Sequence, residues 1–133
     1  AQDAEYYYEL AVYHYKCGNS ASAEQVARKV IPVAATSELK AKAYMLLGNI
    51  WGAVRCEGND IAKRAPYWVA VDYYEKAKAT DPSLASDANK KIAEFKKYYP
   101  LTADAFMFGV SDGDSYEVSC GSFKAVTTVR TQN

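Results

Sequence analysis

Along the first hundred residues apolar positions recur at three- and four-residue spacings, the signature of helices that each bury one stripe. Tyr7, Leu10, Ala11, His14 and Tyr15 predict a helix over 3–17. Gly18-Asn19 stops it, because glycine accepts the left-handed conformation that follows a last turn. Ser20 stands where it would cap a second helix running to about residue 35, with Ala23, Val26, Ala27, Val30 and Ile31 inward and Pro32 distorting the end. A third helix over 38–54 turns Ala43, Tyr44, Leu47, Gly48, Ile50 and Trp51 inward. The pattern lapses through the polar stretch Arg55-Cys56-Glu57-Gly58-Asn59-Asp60. A fourth helix resumes between Lys63 and Tyr67 and ends at Thr80, around Trp68, Ala70, Val71, Tyr74 and Ala77. Asp81-Pro82 then reads as a helix start, and the fifth helix, over 83–99, carries Ala85, Ala88, Ile92, Phe95 and Tyr99 up to Pro100.

The last third changes period. Thr102 is placed to cap a short turn over 103–108 that Gly109 ends, and Ser111-Asp112-Gly113-Asp114 reads as a turn. Two alternating runs rich in Val and Thr, 116–120 and 123–129, flank Gly121-Ser122 as a tight hairpin. A lone hairpin is marginal in water, so this one must lie against the helices. The expected fold is therefore mainly α: about five antiparallel helices over 1–100, with an enlargement at 52–66, and a tail over 101–133 ending in a small β-hairpin.

Composition sharpens this picture in two places. The 133 residues fit one domain, and 16 basic residues balance 16 acidic ones, so no global field draws nucleic acid or anionic lipid. No apolar run approaches a membrane span. Twelve tyrosines are the strong bias. Tyr7, Tyr44, Tyr74 and Tyr99 are core positions by period, but Tyr6, Tyr8, Tyr13 and Tyr15 encircle the first helix. A helix apolar all round is covered on both sides, which implies packing by upstream repeats of the same chain or by self-association.

The helix pairs carry a repeat pattern. Tyr44, Leu47-Gly48 and Trp51, followed by Ala70, Tyr74, Ala77 and Pro82, match the large, Leu-Gly, aromatic, Ala, aromatic, Pro order of a tetratricopeptide (TPR) repeat. Residues 52–69 separate Trp51 from Ala70, about ten more than the template's turn holds. A looser match runs through Tyr7, Leu10-Ala11, His14, Gly18-Asn19, Ala23, Ala27 and Val30, and the fifth helix resembles a terminal cap. The chain thus resembles the TPR family over residues 3–100. Tyr67-Trp68, Asp81-Pro82-Ser83, Tyr99-Pro100, Gly113-Asp114-Ser115-Tyr116 and Thr127-Thr128-Val129-Arg130 are similar to the C-terminal ends of longer bacterial TPR proteins of the cell envelope. The resemblance implies a C-terminal piece of a longer repeat protein, periplasmic or envelope-bound, with a cytoplasmic location as the alternative.

It also implies a role. A TPR module holds a peptide or protein segment in the concave groove lined by the first helix of each pair. By position those residues are Glu5, Tyr8, Glu9, Val12 and Lys16, then Met45 and Asn49, then Asn89 and Lys96 on the cap helix. Tyr8 and Val12 stand where a carboxylate-binding clamp wants Lys and Asn, which argues against that variant. The alternative is a glycan- or small-ligand-binding envelope protein that stacks sugar on Tyr6, Tyr13 and Tyr67.

Chemistry has few candidates. Asp112, Asp114 and Glu117 lack the spacing of a calcium loop and read as turn residues. His14 has no nucleophile or acid arranged beside it and occupies a core aromatic position. Lys90, Lys91, Lys96 and Lys97 read as a solvated face. No enzyme activity, metal or cofactor is expected. Cys17, Cys56 and Cys120 lack zinc-site spacing. Cys17 reads as a half-buried bystander. Cys56 lies in the enlargement and Cys120 ends the first strand, so a Cys56–Cys120 disulfide would fold the hairpin over the second helix pair. Three free thiols in a reducing compartment are the competing reading.

Overall fold

The computed structural model describes residues 2–133. Four long helices, α1 (Gln2–Lys16), α2 (Ser20–Val33), α3 (Ser37–Gly52) and α4 (Asp60–Thr80), run back and forth. A 3-10 turn at Pro82–Leu84 leads into α5 (Ala85–Lys96). Helix α6 (Thr102–Met107) and strands β1 (Ser115–Cys120) and β2 (Phe123–Thr128) complete the tail. The fold is mainly helical with a small C-terminal antiparallel hairpin.

The deepest packing lies between α3 and α4, where Trp51, Trp68, Tyr74, Leu47 and Ile50 are fully enclosed. Gly48 makes that closeness possible. A Cβ there would sit 2.5 Å from the Tyr74 ring, so the ring lies flush on the bare backbone of α3. Against α2, Trp51 donates its indole N–H to Glu24 at 3.0 Å, and Arg28 donates to the same carboxylate at 2.9 Å. Glu24 is buried and charged, and these two donors are what make that tolerable.

Helix starts differ from the sequence expectation at α2, α4 and α6, and at α4 a side-chain cap sets the new start. Ser20 is the first residue of α2, not its cap; Asn19 precedes it and makes no side-chain cap bond. Helix α4 begins at Asp60, several residues early, because the Asn59 side chain accepts from the Ala62 amide at 2.9 Å. Burial of Ile61 and Ala65 rewards the extension, and Pro66 falls inside the helix, where its missing N–H forgoes one bond. The enlargement is thus mostly extra helix, with a loop only over residues 53–59. Thr102 is likewise inside α6; its hydroxyl bonds that of Thr131 at 2.9 Å. Asp81 does cap its turn, accepting from Ser83 N at 3.0 Å.

The hairpin pairs Cys120 with Phe123 across Gly121-Ser122, and Gly121 supplies a φ of 62° that suits glycine. Its inner face lies on α4 and α3. Phe123 meets Trp51 edge-on at 5.2 Å and Tyr116 meets Trp68 at 5.5 Å. Cys56 and Cys120 are joined in a disulfide, Cα atoms 5.6 Å apart, while Cys17 is free and exposed rather than half-buried. Arg130 pairs with Asp72, which also accepts from the Thr127 hydroxyl. Arg28 on α2 reaches the Lys124 carbonyl at 3.3 Å. The tail therefore lies on the α2–α4 side. The opposite side, built from α1, α3 and α5, is left open.

Candidate functional site

On that open side the first helices present stripes set by their register. Glu5, Tyr8, Val12 and Tyr15 follow one another at three- and four-residue steps along α1, with Glu9 beside Tyr8 and four residues after Glu5, and Glu38, Lys42, Met45, Asn49 and Gly52 do so along α3. Two clefts open between them. One, of about 440 Å³, is lined by Glu5, Tyr8 and Glu9 against Thr36, Glu38, Leu39 and Lys42. The other, of about 320 Å³, lies where Tyr15 and Asn49 face α4 and α5. Each cleft joins the same ends of α1 and α3, so these helices run in one direction. Val12 and Met45 are half-buried and line neither cleft.

The second cleft has an aromatic wall. Tyr74 stacks on Phe95 at 5.8 Å, Phe95 on Tyr67 at 5.5 Å, and Tyr67 on Tyr98 at 4.8 Å. Tyr98 is the exposed end of the stack. Gly52 forms the floor, where a Cβ would come within 2.5 Å of the Phe95 ring. The Tyr74 hydroxyl donates to Asn49 Oδ1 at 2.6 Å, which leaves the Asn49 amide N–H groups as donors. Burial holds the Tyr74 phenol neutral, pushing its pKa well above the ordinary tyrosine value, with the neighbouring Glu94 acting the same way. Arg55, Lys91 and Glu94 rim this cleft, and Arg55 is tied back to the Gly52 and Val54 carbonyls at 3.2 and 3.1 Å.

The residues expected to form a groove divide accordingly. Glu5, Tyr8 and Glu9 line the first cleft and Asn49 the second. Lys16 is exposed and lines neither cleft; Tyr15 lines the second. Asn89 turns toward α4, accepting from Lys78 at 2.9 Å, and Lys96 lines neither cleft. Their places are taken by Lys91 and Glu94 on α5 and by Tyr98 just past its end, so Lys91 leaves the solvated lysine face. Sequence reasoning offered Tyr67 only as a sugar-stacking residue beside Tyr6 and Tyr13, passed over Tyr98 and treated Phe95 as plain core. The signal was present in the steps Lys91, Glu94, Phe95 and Tyr98 through α5 and the turn that follows it, one stripe beside the core stripe Ala88, Ile92 and Tyr99.

No family model matches this chain, and no curated protein matches it in sequence.

Other candidate chemistry is accounted for locally. Asp112 accepts from the Thr131 amide and Asp114 from the Ser111 amide, both at 2.9 Å, and Gly113 turns with φ of 92°. Among the described residues no group of three or more His, Cys, Asp or Glu is placed to hold a metal. His14 Nδ1 is buried without a hydrogen-bond partner, and its ring lies edge-on to Tyr13 at 6.0 Å. Tyr6 and Tyr13 stand exposed on α1, apart from Tyr67 in its stack. No helix among the described residues is long and apolar enough to cross a membrane.

Proposed function

We propose that this chain is a non-enzymatic interaction module of the TPR type, part of a longer repeat protein, and that it holds an extended peptide or protein segment along the α1–α3–α5 face. The observation that carries this reading is the aromatic-walled cleft on the side the tail leaves open. Tyr98 and Tyr67 offer a flat surface for an apolar or ring-bearing side chain. Asn49, fixed by Tyr74, keeps amide donors for a segment's backbone carbonyl. The stack is anchored at its buried end by the enclosed Tyr74 ring, and a wall held at one end lowers the entropic cost of capture.

The glycan reading loses support because Tyr6 and Tyr13 do not join Tyr67 in one platform. In the same proposal the exposed Tyr6–Tyr13 face of α1 receives a neighbouring repeat or a second copy. The Cys56–Cys120 bond favours a periplasmic or envelope location over a cytoplasmic one, since such bonds persist in oxidising compartments.

Selection of a random peptide library on the purified protein tests the function. Enriched peptides should bind in the micromolar range and weaken at least tenfold on Tyr98→Ala and on Asn49→Ala. Peptides that bind both variants as they bind the parent would overturn the groove, and soluble oligosaccharides that displace them would favour the glycan reading.

A further inference from the structure

The two ends of the open face carry opposite charge in a chain whose total is balanced. At the first cleft Glu5, Glu9 and Glu38 outnumber Lys42, and among the described residues only Glu38 of the three is paired, to Lys42 at 3.4 Å. At the aromatic cleft Arg55 and Lys91 outnumber Glu94, and among the described residues none of these three forms a salt bridge. Each cleft therefore keeps unpaired charge in its lining, Arg55 being held in place by the Gly52 and Val54 carbonyls, and the aromatic wall stands at the basic end. With about 1.5 Å of rise per residue, the stretch of α3 between the two ends measures roughly 15–20 Å. An extended peptide covers that in about five or six residues.

We propose that the face takes an extended peptide segment of mixed charge: a cationic side chain beside Glu5 and Glu9, and an anionic side chain beside Arg55 and Lys91. The two charges lie about five residues apart, and an aromatic or proline residue next to the anionic one rests on Tyr98. This inference rests on the peptide-binding reading above and specifies its partner. Charge complementarity of this kind fixes register and rejects uniformly charged segments, because like charges brought together in a cleft are unfavourable. The recognition is of side chains, so it needs no free chain end.

The probes are four hexapeptides, acetylated and amidated, sharing one core of Ala, Leu, Tyr and Pro and differing only in their end residues: Lys then Glu, Glu then Lys, Lys at both ends, or Glu at both ends. Binding is read by fluorescence anisotropy on the whole chain at low and high salt. One of the two mixed orders should bind at least tenfold more tightly than either uniform peptide, and that margin should shrink several-fold on raising salt from about 50 to 300 mM. The double variant E5Q/E9Q should remove the margin, while circular dichroism checks that the exposed substitutions leave the fold intact. If the uniform peptides bind as tightly as the mixed ones and Tyr98→Ala weakens all four, the charge assignment is overturned and the groove stands. If none of the four binds and the library also yields no Tyr98-dependent peptide, both fall.

Discussion

The indole N–H of Trp68 donates to the carbonyl of Arg130 at 3.0 Å, and the Arg130 guanidinium donates back to the carbonyl of Trp68 at 2.8 Å. This reciprocal pair, with the Arg130–Asp72 ion pair beside it, clasps the end of the tail to the middle of α4. It is the polar counterpart of the Cys56–Cys120 bond at the other end of the hairpin.

Arg130→Ala should therefore cost more than an ordinary surface change. It removes the charged partner of the partly buried Asp72 carboxylate, which keeps only the Thr127 hydroxyl, and it frees the end of the tail, together worth about 2 kcal/mol. Urea unfolding of the variant should show a lower midpoint with an unchanged slope. A loss below about 0.5 kcal/mol would mean that the clasp is ornamental.

The disulfide makes a second prediction. It links residues 64 apart, for which the chain-entropy account gives about 4 kcal/mol of stabilisation. Cys56→Ser with Cys120→Ser should lower the urea midpoint by a corresponding amount. Titration of the unreduced, unfolded protein should count one thiol, from Cys17. A count of three would remove the bridge and, with it, the support for an oxidising compartment.

Two glycines separate stability from binding. Gly48→Ala drives a methyl into the enclosed Tyr74 ring, and even after the helix-propensity gain should cost about 1–2 kcal/mol. Gly52→Ala meets Phe95, which is only half-buried and has room to yield. That variant should keep its melting temperature within a few degrees and yet weaken the library-selected peptides. Equal effects of both changes on stability would contradict the difference in packing.

Alkaline pH should unfold the protein through its buried phenols. Burial pushes the Tyr99 pKa up to about 12, with the Arg130 guanidinium only partly offsetting it, and raises that of Tyr74 as well. In the unfolded chain these groups ionise near pH 10, so over the interval between, the folded state holds protons that the unfolded state has released. The contribution is intact below about pH 10 and falls as pH climbs toward 12. Phenolate absorbance followed beside near-ultraviolet dichroism should show the last tyrosines ionising together with loss of tertiary signal. Among the described residues the Tyr99 hydroxyl makes no well-formed hydrogen bond and has only the Arg130 guanidinium nearby, so Tyr99→Phe should be neutral or stabilising by about 1 kcal/mol at pH 8 and should soften the alkaline loss.

The sequence by itself determined what is local. The stripe of Ala23, Ala27 and Val30, the stop at Gly18 with its φ of 83°, and the Gly121-Ser122 hairpin all follow from nearest-neighbour geometry along the chain. The small-against-large pairing of Gly48 with Tyr74 was legible too, as one element of the repeat pattern. Cys56 and Cys120 could be assigned to the two segments that meet, because each lay outside the regular core stripes. Only the tertiary structure decided where α4 begins, since Pro66 argues for a later start until the burial of Ile61 and Ala65 is known. The same holds for the open face. Whether Lys91 or Lys96 borders a cleft depends on how α5 is rotated against α4, a matter of a single residue's turn of the helix. The stack of Tyr67, Phe95 and Tyr98 joins residues about thirty positions apart, and Arg55 stands at the rim on a loop tied down by its guanidinium bonds to the Gly52 and Val54 carbonyls and by the neighbouring disulfide. Local period sets which face of each helix is apolar; the side left open is set by where the tail comes to rest.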